Sequence, residues 1–181
     1  MSLLPVLAVL LSAQVAISDL YARRVSNRWL LCVGVAGLGG LLWMWAVRGA
    51  PFPGMHLAGA VVGLAALLPF YALGWMGAGD VKYFAVLGLL LGMPALLPIW
   101  VVSSLLAGAH AGCVLLAPGL RTTLPLRMQW LHARAQAQWQ ARPFVRQIHA
   151  SRQGRAGIPY AAYLAFATVG FIAYGTYGAS S

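Results

Sequence analysis

The sequence predicts an all-α polytopic membrane protein with six transmembrane helices and both termini on the periplasmic side. Three observations predict it. Of 181 residues, 61% are hydrophobic and 8% are charged, whereas a soluble domain carries about a quarter charged residues. Residues 1–18, 29–47, 49–79, 83–120 and 156–181 contain no Asp, Glu, Lys or Arg. A helix crossing ~30 Å of hydrocarbon needs roughly 20 apolar residues, so each run reaches or approaches that length. The basic residues, finally, gather in alternate loops.

The elements follow in order. The first helix spans about 3–20. No basic residue precedes it, and Arg23 and Arg24 follow it, flanks that suit a retained span rather than a cleaved signal peptide. The second helix spans about 28–47. Pro51 and Pro53 then break the chain ahead of a third at about 56–76. Residues 81–117 are too many for one crossing. They divide at Gly92-Met93-Pro94, because Pro94 disfavours helix at the residue before it. This gives a fourth helix near 80–92 and a fifth near 94–117, and the sixth covers about 157–178. Gly59-xxx-Gly63, Gly88-xxx-Gly92 and Gly108-xxx-Gly112 mark close helix approach in a packed bundle, since lipid provides no hydrophobic drive between helices. Residues 1–181 form a single membrane-embedded domain with a cytoplasmic basic loop at 118–156.

The net charge of +10, from 12 Lys+Arg against 2 Asp+Glu, does not call for nucleic acid. Arg23, Arg24 and Arg28 lie in the first loop, Lys82 borders the third, and Arg121, Arg127, Arg134, Arg142, Arg146, Arg152 and Arg155 occupy the fifth. Arg48 alone falls opposite. The positive-inside rule makes the crowded face cytoplasmic. In the loop 118–156, Thr123 can cap a helix with Pro125 in its first turn. Leu126, Trp130, Leu131 and Trp139 among the arginines fit either an interfacial amphipathic helix facing anionic lipid headgroups or a loosely ordered basic linker.

Asp19 and Asp80 are the only acidic residues, and the topology drawn from basic residues alone puts both at the cytoplasmic face. Each has a structural reading. Asp80 can cap the fourth helix, and Asp19 can be a solvated loop residue. At the C-terminal end of its own helix, though, Asp19 opposes the dipole. The fourth helix is also short, ~20 Å against the ~30 Å core, which sets Asp80 below the lipid surface. Two carboxylates brought together titrate as a unit with one held protonated, the arrangement aspartic proteases use. Gly77 and Gly79 give backbone freedom and room for a substrate backbone. Lys82 fits either a charge partner or an interface anchor, and Asn27 is the polar residue near Asp19 able to support the site.

Other chemistries are thinly represented. His56, His110, His132 and His149 show no metal-ligand spacing, so no metal or cofactor is expected. GxSxG and Walker sequences do not occur, and Cys32 and Cys113 have no CxxC partner.

Gly77-Ala78-Gly79-Asp80-Val81-Lys82 resembles the GxGDxK motif of type IV prepilin peptidases, a group of GxGD intramembrane aspartic proteases. Asp19 followed by Val25-Ser26-Asn27 resembles that family's first-aspartate motif, and Ile158-Pro159-Tyr160 resembles the start of its last helix. Ser26 departs from the usual Pro, and Ala78 from a frequent Gly. The resemblance implies a catalytic pair of Asp19 and Asp80 in a bacterial inner membrane. It implies a prepilin or pseudopilin substrate, cut after a glycine at the cytoplasmic border of its apolar helix. The bifunctional members carry a domain with paired CxxC motifs; this chain is similar to the short Flp/Tad-type members, implying peptidase activity without methyl transfer. Two other functions compete. A cation- or proton-coupled transporter holds its acids near the midplane and often shows internal repeats; a non-catalytic subunit of a pilus or secretion assembly needs no acid pair.

Overall fold

A computed structural model describes residues 3–122, 126–142 and 159–178. Among them are seven helices and no strand: α1 (Leu3–Ala22), α2 (Asn27–Arg48), α3 (Gly54–Ala72), α4 (Ala78–Leu91), α5 (Met93–Thr122), α6 (Leu126–Ala141) and α7 (Tyr160–Gly178). Four segments are long and apolar enough to cross a membrane: Leu3–Ala22, Asn27–Arg48, Gly54–Ala72 and Met93–Ala117. The apolar segment Tyr160–Thr176 is shorter, and α4 has 14 residues. Ile17, Leu31, Val35, Val61, Leu97 and Leu115 project from these helices exposed, the side-chain distribution of a bundle solvated by lipid.

The short helix is the centre of the bundle. α4 contacts α1, α2, α3, α5 and α7, and its Val81, Tyr83, Phe84, Leu87, Gly88, Leu89 and Leu90 are buried. Glycine makes the closest of these packings. A Cβ on Gly59 or Gly88 would overlap the other residue's backbone, and one on Gly63 would come within 2.9 Å of the Phe84 carbonyl oxygen. Helices α3 and α4 thus touch backbone to backbone along the first glycine pair. The third pair does not serve this purpose: Gly108 and Gly112 have no neighbour within 4 Å of a Cβ position.

The breaks have local causes. α4 stops at Gly92, whose φ of 83° and ψ of 165° leave the helical region, and α5 begins at once with Pro94 inside its first turn. α3 ends at Ala72 rather than near 76. The Trp75 N–H reaches the Phe70 carbonyl, the Gly74 N–H reaches that of Tyr71, and Gly74 takes φ 74°. This is a Schellman ending, with glycine in the left-handed position and an apolar contact across it; the Phe70 and Trp75 rings lie 6.0 Å apart. The ending frees residues 73–77 as the turn that delivers Asp80.

α6 settles one of the two readings of the basic loop: its described part is helical. Arg134 stacks on Trp130 and Arg142 on Trp139, each 5.1 Å from the ring centre. Trp130, Leu131 and Trp139 are exposed. The Thr123 cap with Pro125, and Arg146, Arg152 and Arg155, lie outside the described residues.

Candidate active site

Asp19 and Asp80 reach the same end of the bundle from different helices. Asp19 sits in the last turn of α1 and is 7% exposed. One of its carboxylate oxygens accepts the Ala162 backbone N–H at 3.1 Å. Ala162 is the third residue of α7, where N–H groups lack helical partners. Asp19 therefore does have a capping role: it caps a different helix, 143 positions away. The reading of Asp19 as a solvated loop residue is corrected: it lies inside α1 and is buried.

Asp80 lies in the first turn of α4 and accepts the Gly77 backbone N–H at 3.2 Å. Each carboxylate thus meets the positive end of a helix dipole. Tyr160, in the same first turn of α7 as the Ala162 that holds Asp19, lines the cavity that Asp80 also lines. Among the described residues, the chain's acids are not scattered over its surface; they form one pair at the junction of two helix N-termini.

Gly79 makes that junction close. A Cβ there would lie 2.8 Å from the Cβ of Val25, so the loop leaving α1 presses on the start of α4. Ser18 fastens this loop from the other side, its hydroxyl donating to the Arg24 carbonyl. Gly77 needs no special conformation. Its φ of −79° and ψ of 148° are ordinary extended values, and a Cβ would meet nothing nearer than 3.6 Å. The backbone freedom expected of these two glycines is therefore replaced by a need for space at Gly79.

The two polar support residues meet each other rather than the carboxylates. Lys82 donates to the Asn27 side-chain oxygen at 3.3 Å in an exposed contact, tying α4 to the first turn of α2. Ser26 is the N-cap of α2 with φ −75°, a value proline also adopts, so the departure from the usual Pro leaves the backbone path unchanged.

Asp80 opens onto a cavity of about 820 Å³ lined by Phe70, Trp75, Met76, Gly77, Trp100, Ser104 and Tyr160 among others. A second cavity of about 400 Å³ shares Phe70 and Trp100 with it and runs between Val62, Leu67, Phe84, Met93 and Leu97. Asp80 thus lines one cavity, and an apolar second one, walled by α3, α4 and α5, lies across Phe70 and Trp100 from it. Tyr160 places its hydroxyl 3.2 Å from that of Ser104. Sequence reasoning named Tyr160 only as part of a helix start, and it passed over Phe70, Trp75, Met76, Trp100 and Ser104. Aromatic and small residues in apolar runs carry no local mark of lining a cavity.

Comparison with family models matches residues 6–112 to the type IV leader peptidase family. The matched stretch is more than half of the chain and contains Asp19, Asn27 and the Gly77–Lys82 turn. The chain belongs to the type IV leader peptidase family. No curated protein and no solved structure matches it. Membership of this peptidase family makes it a protease with leader-bearing prepilins as its general class of substrate.

Proposed function

We propose that this leader peptidase is an aspartic endopeptidase of the GxGD type, with Asp19 and Asp80 as its catalytic pair. Its substrates are Flp-type prepilins or pseudopilins. It cuts them after a glycine at the cytoplasmic border of the bacterial inner membrane, from a six-span topology with both termini periplasmic. The observation that carries the reading is the placement of the two acids at neighbouring helix N-termini, α7 and α4, whose first turns line one large cavity through Tyr160 and Asp80.

The chemistry follows from a carboxylate pair sharing one proton. The ionised member takes a proton from a water molecule as that water attacks the scissile carbonyl carbon. The protonated member gives its proton to the carbonyl oxygen. Collapse of the tetrahedral adduct breaks the C–N bond, and a carboxyl proton goes to the departing amine. The Ala162 and Gly77 N–H groups each hold one carboxylate oxygen, which fixes the orientation of the acids. The apolar cavity walled by α3, α4 and α5 suits the hydrophobic segment next to the cleavage site, and the cavity that Asp80 lines suits the peptide bond itself.

A carrier would hold its acids near the bilayer midplane, whereas these two sit at helix termini, so the arrangement favours hydrolysis. The test is co-expression with a Flp-type prepilin, following leader removal by gel mobility. Asp19→Asn and Asp80→Asn should each leave the precursor unprocessed. Processing at the wild-type rate by either variant would rule the reading out.

A further inference from the structure

One to two turns into the bundle from the acids lies a buried polar cluster that the hydrolysis mechanism does not use. Ser12 on α1, Tyr83 on α4 and Thr168 on α7 are each 0% exposed. The Tyr83 hydroxyl donates to Ser12 Oγ at 2.7 Å. Ser12 in turn donates to the Ala8 carbonyl at 2.6 Å, and Thr168 to the Leu164 carbonyl at 2.7 Å. Packing alone does not demand the hydroxyl of Tyr83, because a phenylalanine ring would fill the same space among Leu11, Leu87 and Leu164.

The Tyr83–Ser12 bond joins the two helices that carry the acids. Tyr83 follows Asp80 by three residues on α4, and Ser12 precedes Asp19 by seven on α1, spacings that keep each pair on one helix face. Thr168 lies on α7, the helix whose Ala162 holds Asp19. In lipid, relative helix position is set by packing and by interhelical hydrogen bonds. A catalytic pair tolerates little displacement; ~1 Å can cost about a hundredfold in rate. We propose that Tyr83 is a positioning residue: its hydroxyl, donating to Ser12, locks α1 and α4 in the relation that sets Asp19 against Asp80. This rests on the aspartate-pair reading above.

The experiment uses the full chain reconstituted in lipid with a Flp-type prepilin, comparing Tyr83→Phe, Ser12→Ala and the double variant. Tyr83→Phe should lower kcat about tenfold while KM stays within about twofold and the protein remains folded by thermal unfolding. Ser12→Ala should show a smaller loss of the same kind, and the double variant should lose no more than Tyr83→Phe alone, because both remove one bond. Wild-type kcat in Tyr83→Phe, a loss that only tracks the fraction of folded protein, or losses that multiply would each overturn the assignment. Asp19→Asn and Asp80→Asn run in parallel. If either cleaves normally, the aspartate-pair reading has failed; if both are inactive while Tyr83→Phe is unimpaired, only the positioning role has.

Discussion

At the residue scale, the acid pair was legible because acids are so scarce in this chain, while the partners of those acids were not. A sequence shows that Asp80 starts a helix, and its bond to the Gly77 N–H follows from local spacing. It does not show that Asp19 caps α7, because that contact joins positions brought together only by the folded bundle. The hydroxyls of Ser12, Tyr83 and Thr168 were equally silent, each standing alone in an apolar run. Lys82 and Asn27, expected as separate supports of the site, bond to each other. Their 3.3 Å bond is exposed, so it is worth about 1 kcal/mol or less. Lys82→Met and Asn27→Ala should therefore each reduce kcat/KM only severalfold, and the double variant should match the worse single one. Multiplying losses would show that each side chain acts on the site separately.

At the scale of the elements, helix existence was readable from apolar runs and breaks, and the Gly92-Met93-Pro94 division between α4 and α5 holds in the structure. Contact partners were less readable, since a glycine pair looks the same whether or not a helix packs on it. Gly59 and Gly88 meet backbone to backbone, whereas Gly39 has nothing within 4 Å of a Cβ position. Alanine gains up to ~1 kcal/mol over glycine from helix propensity. At Gly39 that gain should stand, and Gly39→Ala should hold or raise the unfolding temperature. At Gly88 the new methyl meets rigid backbone, so Gly88→Ala should lose about 1–3 kcal/mol by overpacking. Thermal unfolding of the two variants in the same detergent separates them. Gly79 offers a functional counterpart. Gly79→Ala should push the Val25 loop away and lower kcat, and adding Val25→Ala, which removes the facing methyls, should recover much of it. Failure of that rescue would mean the tight contact is not what the glycine provides.

At the scale of the whole molecule, a central helix too short to span the hydrocarbon organises both architecture and site. α4 has 14 residues, or ~21 Å of helix, and it touches five neighbours. Its first turn puts Asp80 on the wall of a cavity. The proposed topology, drawn from the charge pattern, faces that end toward the cytoplasm. A reporter fused at residue 140 should accordingly read as cytoplasmic; a periplasmic signal would invert the proposed topology. The central claim is that Asp19 and Asp80 together cut the substrate, and purified protein tests it most directly. The wild-type chain, Asp19→Asn and Asp80→Asn are each incubated with a Flp-type prepilin, and the new N-terminus is followed by mass spectrometry. The account predicts one cleavage after a glycine for the wild type and a rate at least about a hundredfold lower for each folded variant. A folded variant that releases the leader at the wild-type rate would contradict it.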